Sequence, residues 1–397
     1  MIYDALVIGA GPGGATTALV LARAGWSVAV VEKARFPRRK VCGEFISATS
    51  LQLLREIGVA DEYLELAGPQ VRQVGFFANE TIVTAPMPQS TGASAPWGRT
   101  LGREDLDLML LDAAARAGAR VWQPWTVRGL HSVPDGHACT ISGKDSSDEL
   151  RARLVVAAPG SWERNDWAIS GGRAHRPGDL LAFKAHFRDP DLAADLMPLL
   201  VFPGGYGGMV YSKCGRLTLS CCIRRDALQQ CRELYPGQHA GDAVLAHIRA
   251  SCLGAREALA HARLGCTWLS AGPIRPGIRR RYSNGIFRVG NLAGEAHPIV
   301  AEGISMAMQS AWLLGRRLIA AQDDVLAGRA LAQAGAGYSA EWARWFAPRI
   351  RAAAVFAHLA VRPTFGTLLR PIVKGFPGLL TFGAQLSGKV TQLVTAP

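Results

Sequence analysis

The chain is poor in several things that would have named a function at once. Its eight cysteines (Cys42, Cys139, Cys214, Cys221, Cys222, Cys231, Cys252 and Cys266) include no Cys-x-x-Cys pair and no His-rich partner segment. That spacing argues against a zinc site or any other metal, and for free, mostly buried thiols in a reducing compartment. No uncharged apolar run reaches about 18 residues, so no membrane-spanning helix is expected. The opening residues carry no basic region followed by an apolar core and cleavage site, so a secretory signal is not expected and the cytoplasm is the expected location. The formal charge of +13 comes with no winged, zinc-finger or RNA-binding signature, which argues against a nucleic-acid partner. Acid is missing from the end of the chain. After Glu341 there is no Asp or Glu, while Arg344, Arg349, Arg351, Arg362, Arg370, Lys374 and Lys389 remain among Phe, Leu and Val. Such a basic, apolar, helix-prone end suggests peripheral contact with an anionic membrane or with a lipid-like substrate, against the alternative of a basic helical cap.

What is present begins at residue 4. "DALVIGAGPGGATTALVLARAGWSVAVVEK" reads as strand, turn, helix and strand, with Gly9, Gly11 and Gly14 at G-x-G-x-x-G spacing and a helix stop at Gly25. The first glycine permits the tight turn, the second lets the backbone approach a pyrophosphate, and the third lets helix and strand pack closely. Pro12 and Gly13 complete the turn, and the helix end offers free N–H groups to phosphate. Glu32 ends the second strand 18 residues after Gly14, where a carboxylate can accept the ribose hydroxyls of an adenosine. The basic run Lys33, Arg35, Arg38, Arg39 and Lys40 follows at the carboxyl edge of the sheet, where a ligand crevice is expected. There is no second G-x-G-x-x-G, so no separate nicotinamide domain is visible. "FPGGYGG" at 202–208 lacks that spacing and reads as a turn beside a second sheet.

Two further segments are recognisable. "RVGNLAGEAHPIVAEGISMAMQSA", 288–311, resembles the second flavin motif of the FAD-dependent oxidoreductases that include geranylgeranyl reductases, aromatic hydroxylases and flavin halogenases. The match is nearest to the geranylgeranyl reductase branch, through Gly290, Asn291, Gly294, Pro298, Glu302, Gly303 and Ile304, and through Lys40, Cys42 and Gly43 after the second strand. The resemblance implies FAD, with Arg103 before a helix as a further contact and Val127 and Gly160 among the cofactor positions. Gly303 and Ile304 would offer N–H groups to the flavin ring, where a helix amino end suits negative charge. Pro298 would shape the ring-side loop. Two departures stand out. Asn291 replaces the family's Asp, keeping a hydrogen bond to a ribityl hydroxyl but no charge. Pro159-Gly160 replaces its Asp-Gly, which bears on direct reduction by NADPH. Reduction is then expected from transiently docked NAD(P)H or from a partner reductase.

The expected fold is α/β, a Rossmann-type FAD-binding domain with an inserted, mostly antiparallel β-sheet substrate domain and a helical C-terminal tail. The FAD domain is assigned residues 1–66, 98–177 and 271–320, the substrate domain 67–97 and 178–270, and the tail 321–397, with breaks at Pro348, Pro363, Pro371 and Pro377. Candidates for chemistry are Cys42, Glu44 and His297, each weighed against a packing or hydrogen-bonding role; Trp342 and Trp345 read as anchors, and Tyr206 and Tyr211 as possible pocket residues. The favoured reaction is oxygenation by O2 of a hydrophobic, polyketide- or isoprenoid-like substrate, a hydroxylation or epoxidation through a flavin C4a-hydroperoxide. The alternatives are a geranylgeranyl reductase-like reduction of carbon–carbon double bonds and an electron-transfer flavoprotein. A halogenase is disfavoured because no W-x-W-x-I-P sequence is present.

Overall fold

The computed structural model describes residues 1–90, 96–161, 175–360 and 371–389. The opening strand Ile2–Ile8 lies in the middle of a parallel sheet, between Ser147–Ala157 and Val28–Val31. Arg120–Trp122 extends the sheet on one side and Ile286–Arg288 on the other, both in parallel. Val28–Val31 is buried along its whole length, as a strand covered on both faces must be. One face carries the helices Pro12–Arg23, Arg103–Arg116 and Gly303–Ala320. The other face is covered by Thr126–Val133 and Gly136–Ser142, which lead antiparallel into Ser147–Ala157 and bury Val127, Cys139 and Ile141 against Leu6, Ile8 and Val31.

The second sheet runs Arg263–Leu264, Leu180–Arg188, Leu217–Arg224, Gly205–Tyr211, Leu196–Phe202, Gln73–Ala78, Thr81–Pro86. Its neighbours are antiparallel except where Leu196–Phe202 meets Gln73–Ala78. Leu269–Ile274 also joins it, beside Leu180–Arg188. Period-two alternation decides the faces. Phe183, Ala185 and Phe187 turn to the helices Arg225–Leu234, Ala240–Ser251 and Leu253–Ala258, forming a core of their own. The intervening Ala182, Lys184 and His186 belong to the opposite face, toward the parallel sheet's domain.

The α/β architecture with its antiparallel second sheet and helical end is therefore present. One expectation fails. The helix Leu331–Ala360 continues through Pro348 for 30 residues instead of breaking there. Pro348 and Arg344, whose carbonyl loses its partner, are both exposed, so water can serve that oxygen, while buried Phe346, Ala347 and Ile350 hold the turn to the core. Pro377 does stand at the start of the short helix Gly378–Ala384; Pro363, and the residues before Pro371 that would show a break there, lie outside the described residues. Trp342 is buried in the main core, its ring directly against Gly294.

Candidate functional site

A cleft of about 730 Å3 runs between the two sheets, from the glycine turn to the C-terminal helices. At one end stand Gly9, Gly11, Pro12 and Gly13. Gly9 has φ +93°, and a side chain there would collide with the backbone at Ala158. Gly14 does not line the cleft; a Cβ there would overlap the Gly9 carbonyl, so its role is close helix packing. Gly11, by contrast, would meet only an Arg103 nitrogen, at 3.5 Å, so the turn leaves its cleft side open for a ligand. The residues present fit a dinucleotide phosphate.

The charges around that opening fit it too. Arg103 donates two hydrogen bonds of 2.8 Å to Asp107, and Arg38 lies 3.5 Å from Asp107 and 3.7 Å from Glu32. Lys40 lines the cleft near Gly160, with its pKa pushed down to about 8, first by burial and then by the charges of Arg103 and Arg38. An anion bound here would relieve that crowding of cations. Glu32 accepts Ala10 N–H at 2.8 Å on one oxygen and Ala34 N–H at 2.9 Å on the other. It therefore shapes the turn as well as facing the cleft, and each oxygen keeps a second lone-pair site for a hydroxyl. Lys33, exposed at the rim, and Val127, from the covering strands, complete this end.

Further along, Cys42, Gly43, Gly160, Gly290, Asn291, Pro298, Gly303 and Ile304 all line the same cleft. The Gly290 N–H is held by Ser310 Oγ at 2.9 Å. Gly303 begins the 18-residue helix Gly303–Ala320, and a Cβ on it would meet nothing within 4 Å. Asn291 keeps an acceptor toward the cleft while its amide is engaged. Its amide donates to Ser161 Oγ (2.8 Å) and Glu295 Oε1 (3.1 Å), so only its carbonyl oxygen remains for a ligand. Glu295, which sequence reasoning missed, is buried beside Arg279 at 3.2 Å. Burial raises its carboxyl pKa, opposed by Arg279 and Ser161.

The three residues considered for chemistry divide. His297 is half-buried in the cleft wall, and its Nδ1 lies 2.6 Å from Tyr206 Oη on the second sheet. Burial pushes His297 down to about 4 and raises the Tyr206 phenol well above its ordinary value, so both are neutral near pH 7. A phenol is the stronger donor and an imidazole nitrogen the stronger acceptor. Tyr206 therefore donates to Nδ1, and Nε2 carries the ring proton. Cys42 lines the cleft, with its sulfur accepting Glu44 N–H at 3.4 Å. Glu44 is different. Its carboxylate is buried, paired with Lys184 Nζ, and accepts Thr218 Oγ1–H at 2.6 Å, with His186 Nε2 at 3.7 Å. Burial alone would raise its pKa, but His186, the Lys184 charge and Thr218 outweigh it and hold the carboxyl well below the usual range. Glu44 lines the cleft, but its carboxylate is engaged in fastening the loop before the short strand Phe45–Ile46, which pairs with Arg99–Thr100 outside both sheets, to Lys184 and Thr218 of the second sheet. Glu104 also brings an oxygen within 4.8 Å of Glu44 and His186, but the Lys184 ammonium already takes Glu44.

Comparison with known proteins agrees with this geometry. Residues 2–345 match the family described as FAD binding domain. The chain is 29% identical over 342 residues to conditioned medium factor receptor 1 of Dictyostelium discoideum, covering 81% of this chain and 64% of that protein. It is 24% identical over 373 residues to digeranylgeranylglycerophospholipid reductase 2 of Methanopyrus kandleri, covering 91% of this chain and 88% of the relative. Among solved structures, a geranylgeranyl bacteriochlorophyll reductase-like protein of Thermoplasma acidophilum superposes with TM-score 0.74 at 20% identity, over 100% of this chain and 94% of that one. The flavin-dependent brominase Bmp2 gives 0.76 at 19% identity, over 98% and 94% of the two chains. With the glycine turn, Glu32 and the second flavin segment gathered on one cleft, the chain belongs to the FAD binding domain family and is an FAD-dependent oxidoreductase.

Proposed function

We propose that the protein reduces carbon–carbon double bonds of a polyprenyl, lipid-like substrate, using electrons taken by FAD from a transiently docked NAD(P)H or a partner reductase. This reverses the order of preference that sequence alone suggested. The observation that carries it is the cleft itself. Beyond the phosphate end it becomes apolar, lined by Val74, Phe76, Leu199, Ile274, Leu379 and Leu380, and it emerges among the C-terminal helices. A long hydrocarbon chain fits such a passage, and Arg349, whose buried Nη atoms find no hydrogen-bond partner among the described residues, stands in the same lining for a polar headgroup. The curated digeranylgeranylglycerophospholipid reductases, similar over most of this chain, support the same reading.

Bound FAD would supply the two-electron chemistry, and the residues able to hold it are those of the glycine turn, Glu32, Arg103 and the loop from Gly290 to Ile304. The chain's own part is to orient the hydrocarbon, keep water out and deliver a proton to the carbon that does not receive the hydride. The His297–Tyr206 pair can pass that proton as a relay: as His297 Nε2 gives its proton up, Nδ1 takes the Tyr206 hydroxyl proton, and the phenolate is reprotonated from water after the product leaves. Asn291, tied to Ser161 and Glu295, keeps the adjoining loop in place.

Anaerobic incubation of the reduced protein with a geranylgeranyl lipid tests this. The expected product gains two hydrogens per double bond without oxygen, with reoxidation of the flavin absorbance. A product that forms only in air and gains one oxygen atom would establish the monooxygenase reading instead.

A further inference from the structure

We propose that the C-terminal helices form a docking surface for a bilayer with anionic headgroups, and that the cleft opens directly onto that bilayer. Docking goes beyond the proposed reaction; only the use of the opening as a substrate portal rests on it.

Among the described residues, large apolar side chains left in water concentrate here. Seven of thirteen lie beyond residue 350, with Phe376 70% and Leu386 60% exposed. Along 371–389, the exposed Ile372, Phe376, Leu379, Phe382 and Leu386 are spaced by four, three, three and four residues, a stripe across two short helical stretches, 371–375 and Gly378–Ala384, and the turn at Phe376 and Pro377 between them. The inward residues of the same segment are apolar too. Val373 inserts among Phe76, Ala78, Val83 and Val201, and Ala384 among Phe45, Val71 and Met87. A helical segment that is apolar on both faces, with one face already docked on protein, leaves the other without an apolar neighbour among the described residues.

The stripe is fastened to the body. Thr381 Oγ1 donates to Pro86 O at 2.7 Å. The buried Lys389 Nζ donates to Val300 O at 2.6 Å and to Glu302 Oε1 at 3.1 Å, directly before the helix Gly303–Ala320. Phe356, Leu379 and Leu386 also line the cleft, so its apolar end emerges within the exposed patch.

Charge selects the occupant. Arg344, Arg351 and Lys374 are exposed on these helices, and no acid follows Glu341 to neutralise them. A second copy of the chain would bring the same cations to a self-complementary interface, where like charges oppose association. An anionic bilayer accepts both the apolar stripe and the cations. None of the described helices is long and apolar enough to cross a membrane, so the segment would lie on the surface.

Flotation of the full-length, FAD-loaded protein with vesicles tests the proposal. Vesicles of phosphatidylcholine alone are compared with phosphatidylcholine plus phosphatidylglycerol. The wild type is expected to float with the anionic vesicles and to bind neutral ones roughly tenfold less. The triple variant Phe376→Ser, Phe382→Ser, Leu386→Ser should lose roughly tenfold of anionic binding, and Arg351→Glu with Lys374→Glu should lose binding mainly at low salt. Unchanged flavin absorbance and melting temperature certify that each variant is folded. A wild type that ignores both vesicle types, or a triple variant that floats as well as the wild type, overturns the proposal. So does a dimer that the triple variant dissociates. Vesicle binding without anaerobic reduction of polyprenyl lipid would leave docking intact and remove the proposed reaction; the reverse outcome would do the opposite.

Discussion

Replacing Glu44 by Gln leaves Lys184 as a buried ammonium whose remaining recorded acceptor is the Lys40 carbonyl at 3.3 Å. Glutamine can still receive a hydrogen bond from Lys184, and Thr218 can turn to accept from the new amide. What is lost is the compensating charge, at a site with no access to water. Breaking a buried ion pair from one side costs about 3–5 kcal/mol. For a chain of 397 residues the unfolding entropy is about 0.8 kcal/mol per degree, which converts that cost to a melting temperature lower by about 4–6 °C. The second substitution Lys184→Met, made in the same chain, should recover most of the loss, because it removes the stranded charge. Circular dichroism and release of flavin fluorescence on heating follow both variants. Stability also depends on pH through this carboxyl. The Glu44 pKa in the folded protein lies below its unfolded value, so its stabilisation is complete above pH about 4.5 and is lost as the pH falls. If Glu44→Gln melts with the wild type yet has no turnover, Glu44 acts on the ligand and its assignment as a tie between its loop and the second sheet is wrong.

Two further substitutions follow from the site. Gly14→Ala sets a methyl group into the Gly9 carbonyl, so the purified variant should be colourless or unfolded, as read from flavin absorbance and circular dichroism. His297 has a folded-state value of about 4 against the ordinary 6.5, so between those values the unfolded chain binds more protons and stability rises with pH. In His297→Gln the melting temperature should change less between pH 5 and pH 7 than in the wild type, as followed by circular dichroism; an equal change would show that His297 is not the group responsible.

The dinucleotide unit was legible because its requirements are local. Gly9, Gly11, Gly14 and Glu32 fall within one strand–helix–strand passage, and each is dictated by backbone space or by one carboxylate position. The second flavin segment was legible for the same reason. Glu44 was not, since its partners Lys184 and Thr218 lie 140 and 174 residues away. A signal was nevertheless present. In "LAFKAHF" the alternation puts Lys184 and His186 on one face of an otherwise apolar strand, and buried charges there require partners from across the interface. The partners of the Asn291 amide, Ser161 and Glu295, were not legible, since the contact to Ser161 joins segments 130 residues apart. Tyr206 was only one pocket candidate among several, because nothing local links it to His297. At Pro348 the local rule was outweighed by the packing of Phe346 and Ile350 on the same helix.

The Glu44–Lys184 contact has a consequence for how the enzyme could be altered. Parting that loop from the second sheet would strand two opposite charges in a dry interior, so the side of the passage that Glu44 lines, its floor, has a set position. Leu379, Leu380 and Gly383 on the opposite wall can change without parting the buried Lys389–Glu302 pair that fastens their segment, and a methyl group on Gly383 would touch nothing within 4 Å. Selection for longer or bulkier guests should therefore gather its substitutions on the wall and leave the floor as it is.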